Sequence, residues 1–408
     1  MADKSQSHAQ MDHAKMTLMK ATTKRRFLAR DDSPELEVAK VNGSYLYDTS
    51  GRKYVDFVMG WCVANLGWNN RAVKKRGERF RGPDYIYPYY AYKPWDQLAE
   101  LLLSIAPKNL GRCFRATGGS EAVDIALQAA LIHTGRRKLV SLEGSYHGNS
   151  LAGLSIGDSE NREHCKNLLP HCDRIRPPLD AKALADIERR LKRRDVAAFI
   201  MEPISINLGV LIPRPDFMTA LQRLCRNFGT LLIADEVATG FGRTGNLFAC
   251  EHFKLKPDIM CVAKAVTDGL GGMGAVMATP AVAKSMEEHG NFYSTYGWHP
   301  RSVDVALATI RYLKKNQKRL LRDVMALSSY FLERLSQIPF KRFKALRIQG
   351  LAIGIEFENE DYADEVQSRC RRNGLLTSTQ GPTLLLLPAL TMDQRLAEKG
   401  LHILARSI

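Results

Sequence analysis

The sequence lacks several patterns that define large classes of proteins. None of its eight cysteines belongs to a Cys-x-x-Cys pair. No apolar stretch reaches the length of about 20 residues that crosses a bilayer. Residues 1–30 are polar and basic and contain no apolar signal-peptide core. These absences predict a cytoplasmic protein with free thiols and no membrane association. We expect residues 1–30 to be partly disordered or to form an arm of a dimer.

Acidic residues are few compared with basic ones. The chain has 43 Asp and Glu against 59 Lys and Arg, which gives a net charge of +16. The basic residues are spread along the chain without an aromatic-rich basic stripe, so we expect a solvated positive surface rather than a nucleic-acid groove. Such a surface would attract acidic substrates, phosphate-bearing cofactors or an acidic protein partner.

Histidine and cysteine lack the spacing of a metal site. His164-Cys165 and His171-Cys172 form a repeat, but a zinc site would need better spacing and a second half. We interpret this region as a polar loop and predict no bound metal.

Short apolar strands alternate with helical segments from about residue 95 onward. This alternation predicts a mostly parallel sheet with helices on both faces. After about residue 303 the pattern changes to helices at 303–315 and 320–337, followed by strand, helix and strand, which predicts a smaller α+β unit. Near the N-terminus, residues 41–56 have the pattern of a hairpin. The chain is long enough for two hydrophobic cores.

Two residues at strand ends carry the strongest chemical signal. Asp235 ends the apolar run 231–235, and Lys264 follows a second apolar strand 29 residues later. This pair suits an electron-sink cofactor, because the lysine can form a Schiff base while the carboxylate keeps a pyridinium nitrogen protonated. On these two residues alone, a buried Lys–Asp ion pair is an equally good interpretation. Asp235 and Glu236 could instead bind magnesium.

Two further turns follow strands in the same region. Thr-Gly-Gly-Ser-Glu-Ala (117–122) opens a helix, where backbone N–H groups and the helix dipole favour an anion such as phosphate. Tyr146 follows the next strand, and an aromatic side chain at a strand end can stack on a flat heterocycle. Taken singly, an ordinary capped turn explains each of them as well or better. No Gly-Lys-Ser/Thr follows, which excludes a Walker loop.

Six motifs in order resemble those of class III pyridoxal-phosphate aminotransferases, the family of omega-amine transaminases, ornithine-type enzymes and glutamate-semialdehyde aminomutase. They lie at 117–122, 146–148 (Tyr-His-Gly), 202–203 (Glu-Pro), 235–245, 263–269 and 294–300. The resemblance implies an α/β protein of the pyridoxal-phosphate-dependent transferase fold type I, with a mostly parallel seven-stranded-type sheet. It places a large cofactor-binding domain at 72–302 and a small α+β domain at 303–408, to which residues 1–71 contribute.

The resemblance also assigns roles around pyridoxal 5'-phosphate. Lys264 corresponds to the Schiff-base lysine and proton shuttle, and Asp235 to the partner of the pyridine nitrogen. The other implied cofactor contacts are Gly119 and Ser120 at the phosphate, Tyr146 and Val237 on the two ring faces, and Thr295, which reaches the phosphate from the neighbouring subunit. A homodimer with active sites shared between subunits is therefore expected.

The substrate residues depart from the family pattern. Trp61 is similar to a pocket tryptophan, although burial for packing would also explain it. Leu385 stands where many members carry an arginine that grips an α-carboxylate, and Asn207 stands where ornithine-type enzymes carry its glutamate partner. Joint loss is coherent, because a lone glutamate in an apolar pocket would be costly. We expect an unusually apolar substrate site, or another arginine in the gripping role. The candidates are Arg115, Arg243 and Arg301.

The resemblance implies an aminotransferase that moves an amino group between an amine or amino acid and an aldehyde, ketone or keto acid by a ping-pong mechanism. The alternative is an aminomutase or an amino-acid racemase or epimerase on the same scaffold, because glutamate-semialdehyde-type enzymes share the asparagine found at Asn207. A basic binding module that only retains the fold would keep its binding without Lys264. The positive charge also permits docking of an acidic carrier protein that bears the carbonyl substrate.

Overall fold

A computed structural model of the chain describes residues 36–158, 160–290 and 292–408. The described residues form two compact units, one of residues 36–41 and 46–53, the other of residues 42–45 and 54–408. The expectations for residues 1–30 lie outside the described residues.

The smaller unit is organised around one turn. Asp48 accepts hydrogen bonds from the backbone N–H groups of Ser50 at 3.0 Å and Arg52 at 2.9 Å, which closes the turn where the sequence predicted it. Three strands have residues in this unit: β1 (Val38–Asn42), β2 (Tyr45–Asp48) and β3 (Lys53–Asp56).

A seven-stranded sheet forms the centre of the larger unit. Its strands are β4 (Arg112–Ala116), β5 (Lys138–Leu142), β6 (Cys172–Ile175), β7 (Val196–Met201), β8 (Leu231–Asp235), β9 (Ile259–Val262) and β10 (Gly274–Ala278). The strand order is β4-β10-β9-β8-β7-β5-β6. Strand β10 is antiparallel to β4 and to β9, and the other neighbouring strands pair in parallel. This arrangement confirms the predicted mostly parallel α/β sheet.

Helices cover both faces of this sheet. The helices up to its last strand and just beyond are α1 (Arg71–Glu78), α2 (Lys93–Ile105), α3 (Gly119–Thr134), α4 (Leu151–Ile156), α5 (Ala181–Leu191), α6 (Pro215–Phe228) and α7 (Pro280–His289). Successive residues of β7 enter different cores: Ala198 and Ile200 pack with residues of α3, whereas Phe199 and Met201 pack with residues of α5 and α6. The alternation of side chains along a strand therefore serves two apolar layers.

The C-terminal region adds a second, smaller sheet. Its elements are α8 (Pro300–Ser336), β11 (Phe343–Gln349), β12 (Ala352–Phe357), α9 (Glu360–Arg372), β13 (Leu375–Leu376), β14 (Ser378–Gln380), β15 (Thr383–Leu386) and α10 (Gln394–Ala405). The strands β11-β12-β15-β14 form an antiparallel sheet, and β13 pairs in parallel with Val55 and Asp56 of β3. The division at residues 71 and 302 stays a prediction.

The prediction of two helices, at 303–315 and 320–337, was wrong. One helix of 37 residues, α8, spans both. The connecting residues 316–319 include no glycine or proline that would end a helix. The buried residues Leu313 and Leu320 continue the same apolar face across them. None of the helices in the described part of the chain, α8 included, is long and apolar enough to cross a membrane.

Candidate active site

The carboxyl ends of the parallel strands surround a cavity of about 370 Å³. Ligands bind at this edge in open α/β sheets, because the turns that leave the strands there can present side chains and backbone N–H groups together. Several residues predicted from the sequence line the cavity: Gly119, Ser120, Tyr146, Asn207, Asp235, Val237 and Lys264. The structure thus brings the predicted lysine and carboxylate to one cavity.

Asp235, the last residue of β8, is held by two donors. His147 Nδ1 lies 2.7 Å from one carboxylate oxygen, and the backbone N–H of Val237 donates to the other at 3.1 Å. Asp235 is 4% exposed and His147 is 2% exposed, so solvent hardly weakens their interaction. His147 Nε2 is buried and has no hydrogen-bond partner among the residues that the structure describes. The arrangement fixes the direction in which the carboxylate faces the cavity.

Lys264 lies in a strained turn beside an indole ring. It follows β9 and begins a 3₁₀ turn with φ of 45°, a conformation that non-glycine residues rarely adopt. Its Nζ is 4.9 Å from the centroid of the Trp61 ring, and Trp61 Nε1 donates to Ser378 Oγ at 3.1 Å. Trp61 is not among the residues that line the cavity, although its ring lies beside the Lys264 amine and packs against the core. Its role in substrate binding stays a prediction.

The glycine-rich turn before α3 leaves backbone donors open. Gly118, the N-cap residue of α3, offers no side-chain acceptor to the N–H groups of the first turn. At Gly119 an added Cβ would lie 3.0 Å from Val237 Cγ1, and at Gly148 it would lie 2.5 Å from Ser120 Oγ. Glycine at these two positions lets the side chains of Val237 and Ser120 approach the backbone closely. A phosphate is favoured at an uncapped helix N-terminus of this kind.

Glu202 is a second buried carboxylate in the cavity wall. It follows β7 and accepts hydrogen bonds from Ser205 Oγ and from Asn207 Nδ2, each at 3.0 Å. Burial, and next the nearby negative charge of Asp235, raise the pKa of Glu202. Asn207 is therefore tied to this carboxylate.

Two predicted residues lie away from the cavity. Leu385 is fully buried in β15, paired with Gly354 and Ser378, and does not line the cavity. Thr295 is exposed and does not line the cavity of its own chain either. Their roles stay predictions.

The three alternative arginines lie outside the cavity lining. Arg243 is fully buried and donates to Asn65 Oδ1 at 2.6 Å and to the carbonyls of Leu351 at 3.0 Å and Pro388 at 2.6 Å. Burial lowers its pKa. Arg115 lies 3.8 Å from the Trp95 ring centroid, and Arg301 is exposed. The expectation that one of them grips a carboxylate inside this cavity finds no contact to support it.

Glu236 does not join Asp235 in a metal site. Its carboxylate accepts hydrogen bonds from the backbone N–H groups of Ala249 at 3.0 Å and Cys250 at 2.8 Å and from the Thr239 hydroxyl. Burial raises its pKa to about 7. Across residues 36–158, 160–290 and 292–408, no cluster of three or more His, Cys, Asp or Glu side chains could hold a metal ion.

Sequence reasoning gave no role to His147 or to the Glu202 side chain, although both lie in quoted motifs. The available signal was their position, because each follows a strand that ends at the same sheet edge as Asp235. A polar residue directly after such a strand is a candidate for the site.

The sheet is mostly parallel and covered by helices, and its carboxyl edge carries a lysine and a carboxylate that His147 and Val237 hold in place. These features define an α/β enzyme suited to a carbonyl cofactor. The chain belongs to the class-III aminotransferases: the model of that family matches residues 27–408.

Individual relatives agree with this family assignment. The aminotransferase PigE of a Serratia species is 32% identical over 81% of this chain, which covers only 39% of the length of PigE. The acetylornithine aminotransferase of Archaeoglobus fulgidus is 31% identical over 93% of this chain and 98% of that protein. Among solved structures, an amine transaminase from an uncultivated Pseudomonas species, in its PLP-bound form, superposes with a TM-score of 0.86 at 26% identity and covers 94% of this chain and 98% of that one.

Proposed function

We propose that this class-III aminotransferase binds pyridoxal 5'-phosphate in the 370 Å³ cavity and transfers the amino group of an amine donor to a carbonyl acceptor. One observation carries the proposal: Lys264 and the clamped carboxylate of Asp235 line the same cavity. A cofactor of this kind needs both groups, one to bind the aldehyde and one to hold a ring nitrogen protonated.

The residues present fit the cofactor at both ends. The uncapped start of α3 offers N–H donors for a phosphate, with Gly119 and Ser120 beside them. Tyr146 and Val237 supply an aromatic and an aliphatic surface for the two faces of a flat ring. The cavity volume lies in the range of about 300–1,000 Å³ that small-molecule sites occupy.

Each chemical step belongs to a residue of this chain. When bound, the cofactor supplies an electron sink for the carbanion formed at the substrate carbon. Lys264 Nζ would hold the cofactor covalently, and its amine, once free, would remove a proton from the substrate and return it. Asp235 would keep the ring nitrogen protonated, and His147 orients Asp235. The neighbouring Trp61 ring excludes water from the side of Lys264 that it contacts.

The preferred donor is an amine without an α-carboxylate. Within the described part of the chain, no arginine lines the cavity, and Lys264 is the only lysine that does. A carboxylate placed there would meet Glu202 and Asp235 without a compensating guanidinium, which costs free energy. Acetylornithine, the substrate in the names of two relatives, carries such a carboxylate, and we propose that this chain differs from them.

A homodimer with shared sites is the proposed assembly. Thr295, expected to reach a neighbour's phosphate, is exposed next to two exposed tyrosines, Tyr293 and Tyr296. Tyr85 and Tyr89, also exposed, contact these two rings. Exposed tyrosines in one patch are typical of protein interfaces. Light scattering should give twice the chain mass at micromolar concentration.

The proposed setting is a reducing cytoplasm, because all eight cysteines are free. Docking of an acidic carrier protein on the positive surface stays a prediction.

The test is an absorbance spectrum of the purified protein with added cofactor, before and after single donors. A visible band that 1-phenylethylamine bleaches, that alanine and glutamate bleach much less, and that a carbonyl acceptor restores supports the proposal. A band that no donor bleaches while an amino compound is isomerised would support the mutase or epimerase instead. Absence of any band would contradict cofactor binding.

A further inference from the structure

The loop of residues 202–211 forms one wall of the cavity. Glu202 and Asn207 in this loop line the cavity. At the base of the loop, the backbones of Ser205 and Leu211 exchange two hydrogen bonds of 2.9 Å. Since these bonds are internal to the loop, they shape it but do not determine where it lies.

An arginine from the small sheet holds the outer end of this loop. Arg347 Nε in β11 donates to the carbonyl oxygen of Gly209 at 2.8 Å. Its Nη1 donates to Glu356 at 2.5 Å and its Nη2 to Thr383 Oγ1 at 3.4 Å. All three guanidinium nitrogens therefore have an acceptor in the protein. The side chains of Arg347 and Glu356 are each only 25% exposed, which strengthens their ion pair relative to a surface pair.

The register of the small sheet explains why these groups meet. Arg347 lies opposite Gly354, and Glu356 lies opposite Thr383, so the three side chains share the face on which Gly354 has none. An added Cβ at Gly354 would lie 2.7 Å from the carbonyl oxygen of Gly209. Gly209 itself has φ of +66°, and an added Cβ would lie 2.5 Å from Thr383 Oγ1. Two glycines thus allow the loop to touch the sheet.

We propose that Arg347 and Glu356 are positioning residues that hold the 202–211 loop in place and, through it, set the position of Asn207 and Glu202 in the cavity. Asn207 is two residues from the carbonyl that Arg347 binds, so a loop released at that end would carry the cavity wall with it. A shift of about 1 Å in a positioning group can lower a rate about 10²-fold.

Arg347 is committed to the protein rather than to a substrate. Leu385 stands at the position where the family resemblance expects a carboxylate-gripping arginine. It pairs with Gly354 of β12 from the neighbouring strand β15, whereas Arg347 pairs with the same glycine from β11. Among these paired residues the arginine is therefore on β11 and not on β15. The acceptors of Arg347 are the carbonyl of Gly209, the hydroxyl of Thr383 and the carboxylate of Glu356. Because these contacts engage Arg347, it supplies no guanidinium to the cavity. The contacts lie within the protein and do not require the cofactor.

The test compares Arg347→Met with Arg334→Met in the cofactor-free full chain. Arg334 forms an ion pair of similar length with Glu398, 2.5 Å, at 37% and 33% exposure, between α8 and α10. Hydrogen exchange read by mass spectrometry reports on the peptide 203–211. We expect Arg347→Met to accelerate exchange there about tenfold or more, because a charged hydrogen bond is lost. Arg334→Met should leave that peptide unchanged, and Arg347→Lys should give an intermediate value.

A second readout uses the loaded enzyme. Arg347→Met should raise KM for the amine more than it lowers kcat and should shift the visible band of the bound cofactor, whereas Arg334→Met should do neither. Equal exchange and kinetics for the two Met variants would overturn the proposal and leave Arg347 as a sheet-stabilising residue. If Arg347→Met does not fold, Glu356→Gln decides by the same criteria. A wild type that shows no cofactor band would refute the proposed function alone, since the exchange comparison needs no cofactor.

Discussion

Asp235 and Glu236 are adjacent carboxylates, but they serve two different regions of the molecule. Asp235 lines the cavity and is held by His147 and a single backbone N–H. Glu236 is fully buried away from the cavity, where it accepts the N–H groups of Ala249 and Cys250 at the start of a 3₁₀ turn. Burial therefore does not distinguish the two carboxylates, whereas contact with the cavity does.

Asp235→Asn is the substitution with the largest expected effect on this comparison. Asparagine keeps the shape but cannot hold a ring nitrogen protonated, so kcat/KM should fall by about 10²- to 10⁴-fold. The free energy of unfolding should change less than it does for Glu236→Gln. Steady-state kinetics and denaturant unfolding measure the two quantities. Near-normal turnover by this variant would contradict the assignment of Asp235.

Glu236 should contribute to the pH dependence of stability. Its pKa is about 7 in the folded protein against an ordinary value of 4.5, so the folded state retains a proton that the unfolded state loses. Stability should therefore fall as pH rises from about 4.5 to about 7, by about 3 kcal/mol in total. Burial also raises the pKa of Asp268, to about 8, and this carboxyl contributes over an overlapping pH range. Urea unfolding at several pH values should therefore show the contribution of Glu236 as the difference in slope between the wild type and Glu236→Gln.

Glu236→Gln should destabilise the fold but spare the chemistry. Ala249 and Cys250 donate to different oxygens of Glu236, so the amide NH₂ of glutamine would face one of these backbone N–H groups, and an unsatisfied buried donor costs about 1–3 kcal/mol. Turnover per folded molecule should stay close to that of the wild type, and the visible cofactor band should be unchanged. A lost band in a folded variant would place Glu236 within the site and remove the contrast with Asp235.

His147→Phe should lower kcat/KM much less than Asp235→Asn does. It removes the donor to Asp235 while it keeps a buried ring, and we expect kcat/KM to fall about tenfold. His147→Asn is the matched control, because its amide N–H can replace Nδ1, and it should recover part of the loss. Equal rates for the two variants would show that the ring, rather than the hydrogen bond, matters.

Local sequence signals predicted the residues at strand ends. Asp235 and Lys264 each follow an apolar run, and the alternation of strands and helices fixes the edge at which such residues meet. The mostly parallel character of the sheet was predicted from the same alternation, but the order of its strands was not. The comparisons confirmed the family that the motifs resemble.

Long-range contacts could not be predicted in this way. Arg243 lies in a glycine-rich segment that suggests exposure, but its acceptors Leu351 and Pro388 are more than 100 residues away in sequence. Arg347 gave no signal, because its role depends on strand register and on the missing side chain of Gly354. Such contacts form only when distant segments fold together.

We propose that Lys264 binds the cofactor at the carboxylate-bearing edge of the sheet. Borohydride reduction of the cofactor-loaded protein, followed by peptide mass mapping, is the first experiment that we would perform. We expect a pyridoxyl-phosphate adduct on the peptide that contains Lys264 and none in Lys264→Ala. An adduct on a different lysine, or no adduct in a protein that retains the visible band, would contradict it.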